Sequence, residues 1–298
     1  MTLSFEERAQ RAWEDLSISD NFIFLRVMQN RDLCKRLIER ILHIRIRELA
    51  YPHMEKTIDL RLDSKSVRLD VYVEDEQGTV YNIEMQTTKG RDGELTKRTR
   101  YYQAMIDMDL LGKNFYYDHL RQTYIIFVCT FDLFGLEQRI YTFRNMCAEL
   151  PDLALGDGAT KIFLNAKGLR GAVDEDIEHF LKYVNGVRTG GTFIEELEKE
   201  VERVKYQKET RRSFMTLYME YQRHRLDGLE EGRRAGMEQG RREGMEKGRR
   251  EGMEKGRREG VLDMARSLLT LNVPLDVIEK SSGMTRAEIL ALQQTSAE

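Results

Sequence analysis

The sequence predicts a mixed α/β domain, then a long helical tail, then a small all-helical module. Three observations carry that expectation. Apolar residues recur every three or four positions over 19–43 and every second position over 57–87. Helix-like and strand-like runs go on alternating to about residue 185, the pattern of a layered α/β fold. From Gly228 to Gly260 a glycine falls at every fourth residue.

The first element reads as one helix over 19–43, with Phe22, Leu25, Met28, Leu33, Leu37 and Ile41 on one face and Ser19 as its N-cap. Farther on, Val67, Leu69, Val71 and Val73 alternate with Arg68, Asp70 and Tyr72, which is strand spacing. The polar stretch Asp75 to Thr79 turns the chain into a second alternating run. Glu94 to Leu111 has helical spacing, and Gln122 to Phe131 is a near-continuous apolar strand of the kind buried on both faces. Arg139 to Phe143 and Lys161 to Leu164 are further strands, and Asp174 to Tyr183 is a helix. Thr192 and Glu195 have the spacing of a capping box for a long helix. Its apolar stripe runs through Ile194, Leu197, Val201 and Val204 to Phe214, Tyr218 and Tyr221.

The best single cut falls at 188–192. It gives a first domain over 1–188, a long helix over 189–227, the glycine repeat over 228–260 and a helical module over 261–298. In the repeat the unit GRREGMEK recurs with period eight. Acid–base pairs such as Glu246 with Arg249 and Arg250, or Glu251 with Lys255, support a helix by about 0.2–0.5 kcal/mol each. Nine glycines oppose it by roughly 0.8–1 kcal/mol apiece relative to alanine. The segment is therefore either a charged spacer or one side of a close helix–helix contact, and the latter implies a homo-oligomer formed through the tail. A period of four exceeds 3.6, so the glycine stripe winds right-handed round its helix. In the last module, Thr285 and Glu288 form a second capping box and Gly283 marks a turn. Five acids against three bases over 261–298 argue for packing or assembly there rather than DNA reading.

Composition narrows the function classes. The 298 residues carry 48 basic and 51 acidic side chains, a formal charge of -3, and 41 % hydrophobic residues, enough for a real core. No apolar run approaches bilayer length and Met1 to Arg11 lacks a signal-peptide core, so a soluble cytoplasmic protein without membrane association is expected. The near-neutral balance excludes a uniformly basic nucleic-acid coat but permits a local basic groove. Cys34, Cys129 and Cys147 form no C-x-x-C pair and read as reduced core thiols. The five histidines show no metal spacing, and no Walker A, G-x-G-x-x-G or G-x-S-x-G sequence occurs.

The hairpin around Gly78 holds the candidate chemistry. A three-residue loop Glu76-Gln77-Gly78 centres the pairing on residue 77, which sets Asp70 opposite Glu84 and Arg68 opposite Gln86. Asp70, Glu84 and Gln86 then share one face, while Leu69, Ile83 and Met85 point to the other. Directly opposed carboxylates repel. A divalent cation between them reverses that cost, and oxygen-only ligands favour magnesium or manganese. On spacing alone, the same acids fit the solvated outer face of a two-stranded ribbon. Helix 94–111 follows directly, with Arg98 and Tyr102 four apart. Arg98 either aims at an anionic substrate or packs its stem with its head in water. Lys89, Arg91, Lys97, Arg98 and Arg100 outnumber Asp92 and Glu94 there, a local basic patch.

The stretches ISDNFIFLRVM, VRLDVYVEDEQGTVYNIEMQ, KRTRYYQAMIDMDLL and YIIFVCTFDLFG resemble, in order, the recombination-promoting nuclease/putative transposase family of the PD-(D/E)XK nuclease superfamily. The resemblance covers about residues 17–185, and the glycine-repeat tail is also similar to what such proteins carry. It implies a restriction-endonuclease-like mixed sheet flanked by helices, cleaving double-stranded DNA with Mg²⁺ or Mn²⁺. Asp70 and Glu84 match the metal-binding acids, with the Met85 carbonyl as a further ligand. Gln86 stands where the wider superfamily usually has lysine. It can orient water but brings no charge to stabilise hydroxide. Lys97, Arg98, Arg100 and Tyr102 fall to DNA binding, and Asp20 to an acidic residue of the first helix. Two functions follow: a metal-dependent DNA endonuclease, or a DNA-binding or assembly protein that keeps the nuclease fold without its activity.

Overall fold

The computed structural model describes residues 4–50, 53–58, 66–112 and 115–295. The described elements begin with helix α1 (Phe5–Glu14), whose Ser4 and Glu7 form a reciprocal capping box. The single helix expected over 19–43 is two, α2 (Asn21–Met28) and α3 (Arg31–Leu42). The break has a local cause: the Asn30 side chain accepts the Leu33 N–H at 3.3 Å and starts a new helix there. Asp20, rather than Ser19, holds the N-cap position of α2, with no side-chain cap bond.

Strands β1 (His53–Ile58), β2 (Val67–Glu74) and β3 (Val80–Gln86) follow. Helix α4 (Glu94–Leu110) leads to β4 (Thr123–Cys129), β5 (Ile140–Phe143) and β6 (Ala159–Asn165). Together they form a six-stranded mixed sheet in the order β1-β2-β3-β4-β6-β5. β3, β4 and β6 run parallel; β2 pairs antiparallel with both β1 and β3, and β5 pairs antiparallel with β6. Central β4 is buried on both faces, as its continuous apolar run requires.

Helices α5 (Glu175–Val184) and α6 (Thr192–Tyr206) complete the layer. One face of the sheet packs on α2, α3, α5 and α6 through Val71, Val73, Ile83, Met85, Ile126 and Val128. The other packs on α4 through Leu69, Tyr72, Val80, Ile125, Phe127 and Phe163. The long helix expected from Thr192 breaks at Gln207, whose backbone is extended. Its Thr192–Glu195 box is absent: Gly191 is the N-cap and makes no side-chain bond.

Helix α7 (Lys208–Thr270) comes next, and the chain divides into two compact units after Tyr218, within it. The division lies beyond the 188–192 cut because Phe193, Ile194, Leu197, Val201 and Val204 of α6 join the core of the first unit. Phe214 does the same, with Trp13 and Phe22 at 5.4 and 5.5 Å.

In the second unit the glycine repeat is helical throughout. A Cβ on any of its nine glycines meets nothing within 4 Å, and Met237, Met245 and Met253 are exposed. Its ion pairs include Glu238–Arg242, with glutamate on the N-terminal side, and Lys247–Glu251 and Lys255–Glu259, with lysine on that side. Helices α8 (Leu275–Ser282) and α9 (Arg286–Thr295) close a small core on Ala265, Ile278 and Ile289. Gly283 ends α8 at φ 70°, and the Thr285–Glu288 box is present. Among the described residues no helix is long and apolar enough to cross a membrane.

Candidate active site

The site begins where two strands part. β2 and β3 pair from Glu74 with Val80 to Val71 with Ile83, a register centred on residue 77, so Asp70 and Glu84 come next. At that rung side chains take over from the backbone. The Asp70 N–H donates to Glu84 Oε1 at 3.1 Å, and the Met85 N–H donates to Asp70 Oδ2 at 3.4 Å. The alternation of β2 breaks at the same residue. Val71 and Val73 face the α2 side of the sheet, but Val67 and Leu69 face α4. Leu69 therefore does not share a face with Ile83 and Met85, as strict alternation predicted. β1 is kinked with it: Met54 pairs with Val71 and Lys56 with Leu69, which sets Glu55 across from Asp70, and Glu55 has φ 55°.

The far side of β3 stays fixed to β4. The Val80 N–H reaches the Gln122 carbonyl at 2.8 Å, and the Thr130 N–H reaches the Gln86 carbonyl at 3.0 Å. Even-numbered residues of β3 thus spend their peptide groups on β4, and odd-numbered ones turn theirs toward β2. The Met85 carbonyl points into the gap that β2 has vacated, on the side where its N–H meets Asp70.

Both acids are buried, Asp70 at 9 % and Glu84 at 2 % exposure, so the solvated-face alternative does not apply. An asparagine holds each one. Asn21, at the start of α2, donates to Asp70 Oδ1 at 3.2 Å, and Asn82 donates to Glu84 Oε1 at 3.1 Å. Arg98 of α4 pairs with Glu84 Oε2 at 3.2 Å. Its guanidinium lies 5.3 Å from the Tyr102 ring and 5.1 Å from the Phe127 ring, which are themselves stacked. Burial pushes the Glu84 carboxyl up to about 8, and the charge of Asp70 adds to the rise. Burial also raises Asp70, against the pull of Asn21, the Met85 N–H and Arg98. Both carboxyls stay raised although Arg98 pairs with Glu84 and the charges of Arg98 and Arg68 act on Asp70.

The hard oxygen donors of Asp70, Glu84 and the Met85 carbonyl fit a divalent cation such as Mg²⁺. Among the described residues no three His, Cys, Asp or Glu side chains converge. Gln86 follows Glu84 by two on β3 and is half-buried. Lys97 and Arg100 are exposed and, with Arg68, Arg98, Tyr101 and Tyr102, line a cavity of about 770 Å³. Tyr102 itself is buried beneath Arg98. Asp20 turns back to the Ser17 N–H at 2.8 Å, and it is its neighbour Asn21 that reaches Asp70.

Asn21 and Asn82 are the site residues that pattern reading passes over. Asn82 carried a signal, a carboxamide at a core position between Val80 and Glu84; Asn21 carried none. Of the three cysteines, Cys34 and Cys129 are buried and their thiols are pushed up to about 12 by burial. Cys147 is not a core thiol: it is half-buried and donates to Glu149 at 3.3 Å.

The model of the PD-(D/E)XK nuclease family transposases matches residues 22–220, more than half of the chain, and the chain belongs to that family. No curated protein and no solved structure matches it.

Proposed function

We propose that this member of the PD-(D/E)XK nuclease family is a metal-dependent DNA endonuclease that uses Mg²⁺, with Mn²⁺ able to replace it. The observation that carries the reading is the parting of β2 and β3 at two buried, opposed carboxylates. Asp70, Glu84 and the Met85 carbonyl would hold the ion. When bound, it supplies Lewis-acid polarisation of the scissile phosphate and acidifies the attacking water. The residues of the chain do the rest. The Gln86 carboxamide orients a water through hydrogen bonds, and because it is neutral the burden of charge stabilisation falls elsewhere. Arg98 compensates the acid pair in the free protein and can grip a phosphate oxygen once the acids are neutralised. Lys97 and Arg100, with Arg68, hold backbone phosphates of double-stranded DNA without reading sequence. The tail joins copies of the chain into a homo-oligomer.

Supercoiled plasmid incubated with the full chain and Mg²⁺ tests this. Nicking that is abolished by EDTA, and lost in Asp70→Asn and Glu84→Gln variants of native circular dichroism, supports it. Cleavage undiminished in both variants would exclude this site. A second reading, a DNA-binding protein without cleavage, is favoured by glutamine at position 86 and by the existing Arg98–Glu84 ion pair. It predicts DNA retention without nicking at any metal concentration.

A further inference from the structure

Asn82 is the most anomalous residue beneath α4. It has 0 % exposure, and its neighbours across the sheet are Tyr72 on β2 and Ile125 on β4, both buried. On its own strand it stands between Val80 and Glu84 on the same face. Every property of that position except one asks for an apolar β-branched or leucine side chain. The exception is its one side-chain hydrogen bond among the described residues, from Nδ2 to Glu84 Oε1 at 3.1 Å. The other end of the amide, Oδ1, is buried and has no partner among the described residues. An orphaned carbonyl in a core is a standing cost to the fold. Turning the amide over would not relieve it, because Oδ1 would then oppose the carboxylate. The residue loses stability at one end to place a donor at the other.

We infer that Asn82 is a positioning residue that fixes the Glu84 carboxylate for a divalent cation. This rests on the metal-site reading above. With the Asp70 N–H it directs two donors onto Oε1, while Arg98 engages Oε2. Oε1 is thereby pinned toward β2, and the carboxylate cannot rotate about its last bond. A ligand oxygen held in this way binds its metal better than a free one, and removing such a partner typically costs about 10–100-fold in metal affinity. The position also explains why polarity is tolerated inside an otherwise apolar face.

The test uses Asn82→Leu and Asn82→Val in the full chain, titrated with Mn²⁺ by calorimetry and melted with and without the metal. Because both variants abolish the orphaned carbonyl, the metal-free melting temperature should equal or exceed that of the wild type. Mn²⁺ affinity should fall about 10–100-fold, and the metal-induced rise in melting temperature should shrink with it. Unchanged Mn²⁺ affinity in either folded variant would overturn the inference. So would a fall in metal-free melting temperature in both, which would make Asn82 a structural hydrogen-bonding residue. Failure of the underlying reading looks different: the wild type itself would then bind no Mn²⁺.

Discussion

Glu84→Gln separates the charge of this carboxyl from its shape, and its effect should depend on pH. In the folded chain Glu84 is pushed up to about 8 from an ordinary value of 4.5, by burial and by Asp70. A carboxyl raised by folding binds its proton more tightly in the native state than in the unfolded one. The contribution of Glu84 to stability is therefore greatest below about 4.5 and falls as the pH rises through the window to about 8. At between 1 and 2 kcal/mol per unit, the whole window is worth on the order of a few kcal/mol. For a unit of this size that corresponds to roughly 10–20 °C in melting temperature. Glutamine cannot ionise, so the variant lacks this loss. It also weakens the Arg98 contact, but that cost does not vary with pH. The difference in melting temperature, variant minus wild type, should thus grow by roughly 8–16 °C between pH 5 and pH 9 in metal-free buffer. Scanning fluorimetry at constant ionic strength measures it. A difference that is flat, or that shrinks with pH, would refute the reasoning, because Glu84 would then be an ordinary ion-pair partner held charged by Arg98.

Arg98→Met keeps the stem between Tyr102 and Phe127 but removes the cation paired with Glu84, and should destabilise the metal-free protein by about 1–3 kcal/mol in urea. Saturating Mn²⁺ should restore most of that loss, and no restoration would argue against a cation site. In native protein a thiol reagent should label Cys147 alone, with Cys34 and Cys129 reacting only on unfolding; three fast thiols would contradict the burial described. Alanine at Gly240, Gly244 and Gly248 meets no neighbour in one chain and should raise helix stability by roughly 0.8–1 kcal/mol per site. If the repeat joins copies through its glycines, the same variant should lose mass in light scattering, and an unchanged mass would make the repeat a spacer.

Much of the α/β layer was legible because its core strands are strongly patterned. β4 is apolar at nearly every position, and the hairpin register follows from one loop of three residues. What the pattern hid was the irregularity that makes the site. Val67, Leu69, Val71 and Val73 read as one alternating set, yet they serve two cores, because β2 changes face at Asp70. Spacing cannot show a kink that neither inserts nor deletes a residue. The register of β1 on β2 is unbroken on both sides of Asp70, and only the backbone of Glu55 records the switch. β1 escaped notice since its first five residues are exposed or half-buried. The break at Asn30 lies inside a continuous helical period, where capping decides rather than hydrophobicity. At the site, the acids and Gln86 could be named from the hairpin, whereas Asn21 reaches Asp70 from 49 residues away in sequence, a contact only the tertiary fold creates.

A crystal of the full chain soaked in Mn²⁺ puts the central claim to its most direct test. The account predicts one strong anomalous peak in the gap between β2 and β3, ligated by Asp70, Glu84 and the Met85 carbonyl and absent from Asp70→Asn crystals treated alike. A map with no peak there at saturating Mn²⁺, and the Arg98–Glu84 pair intact, would contradict it.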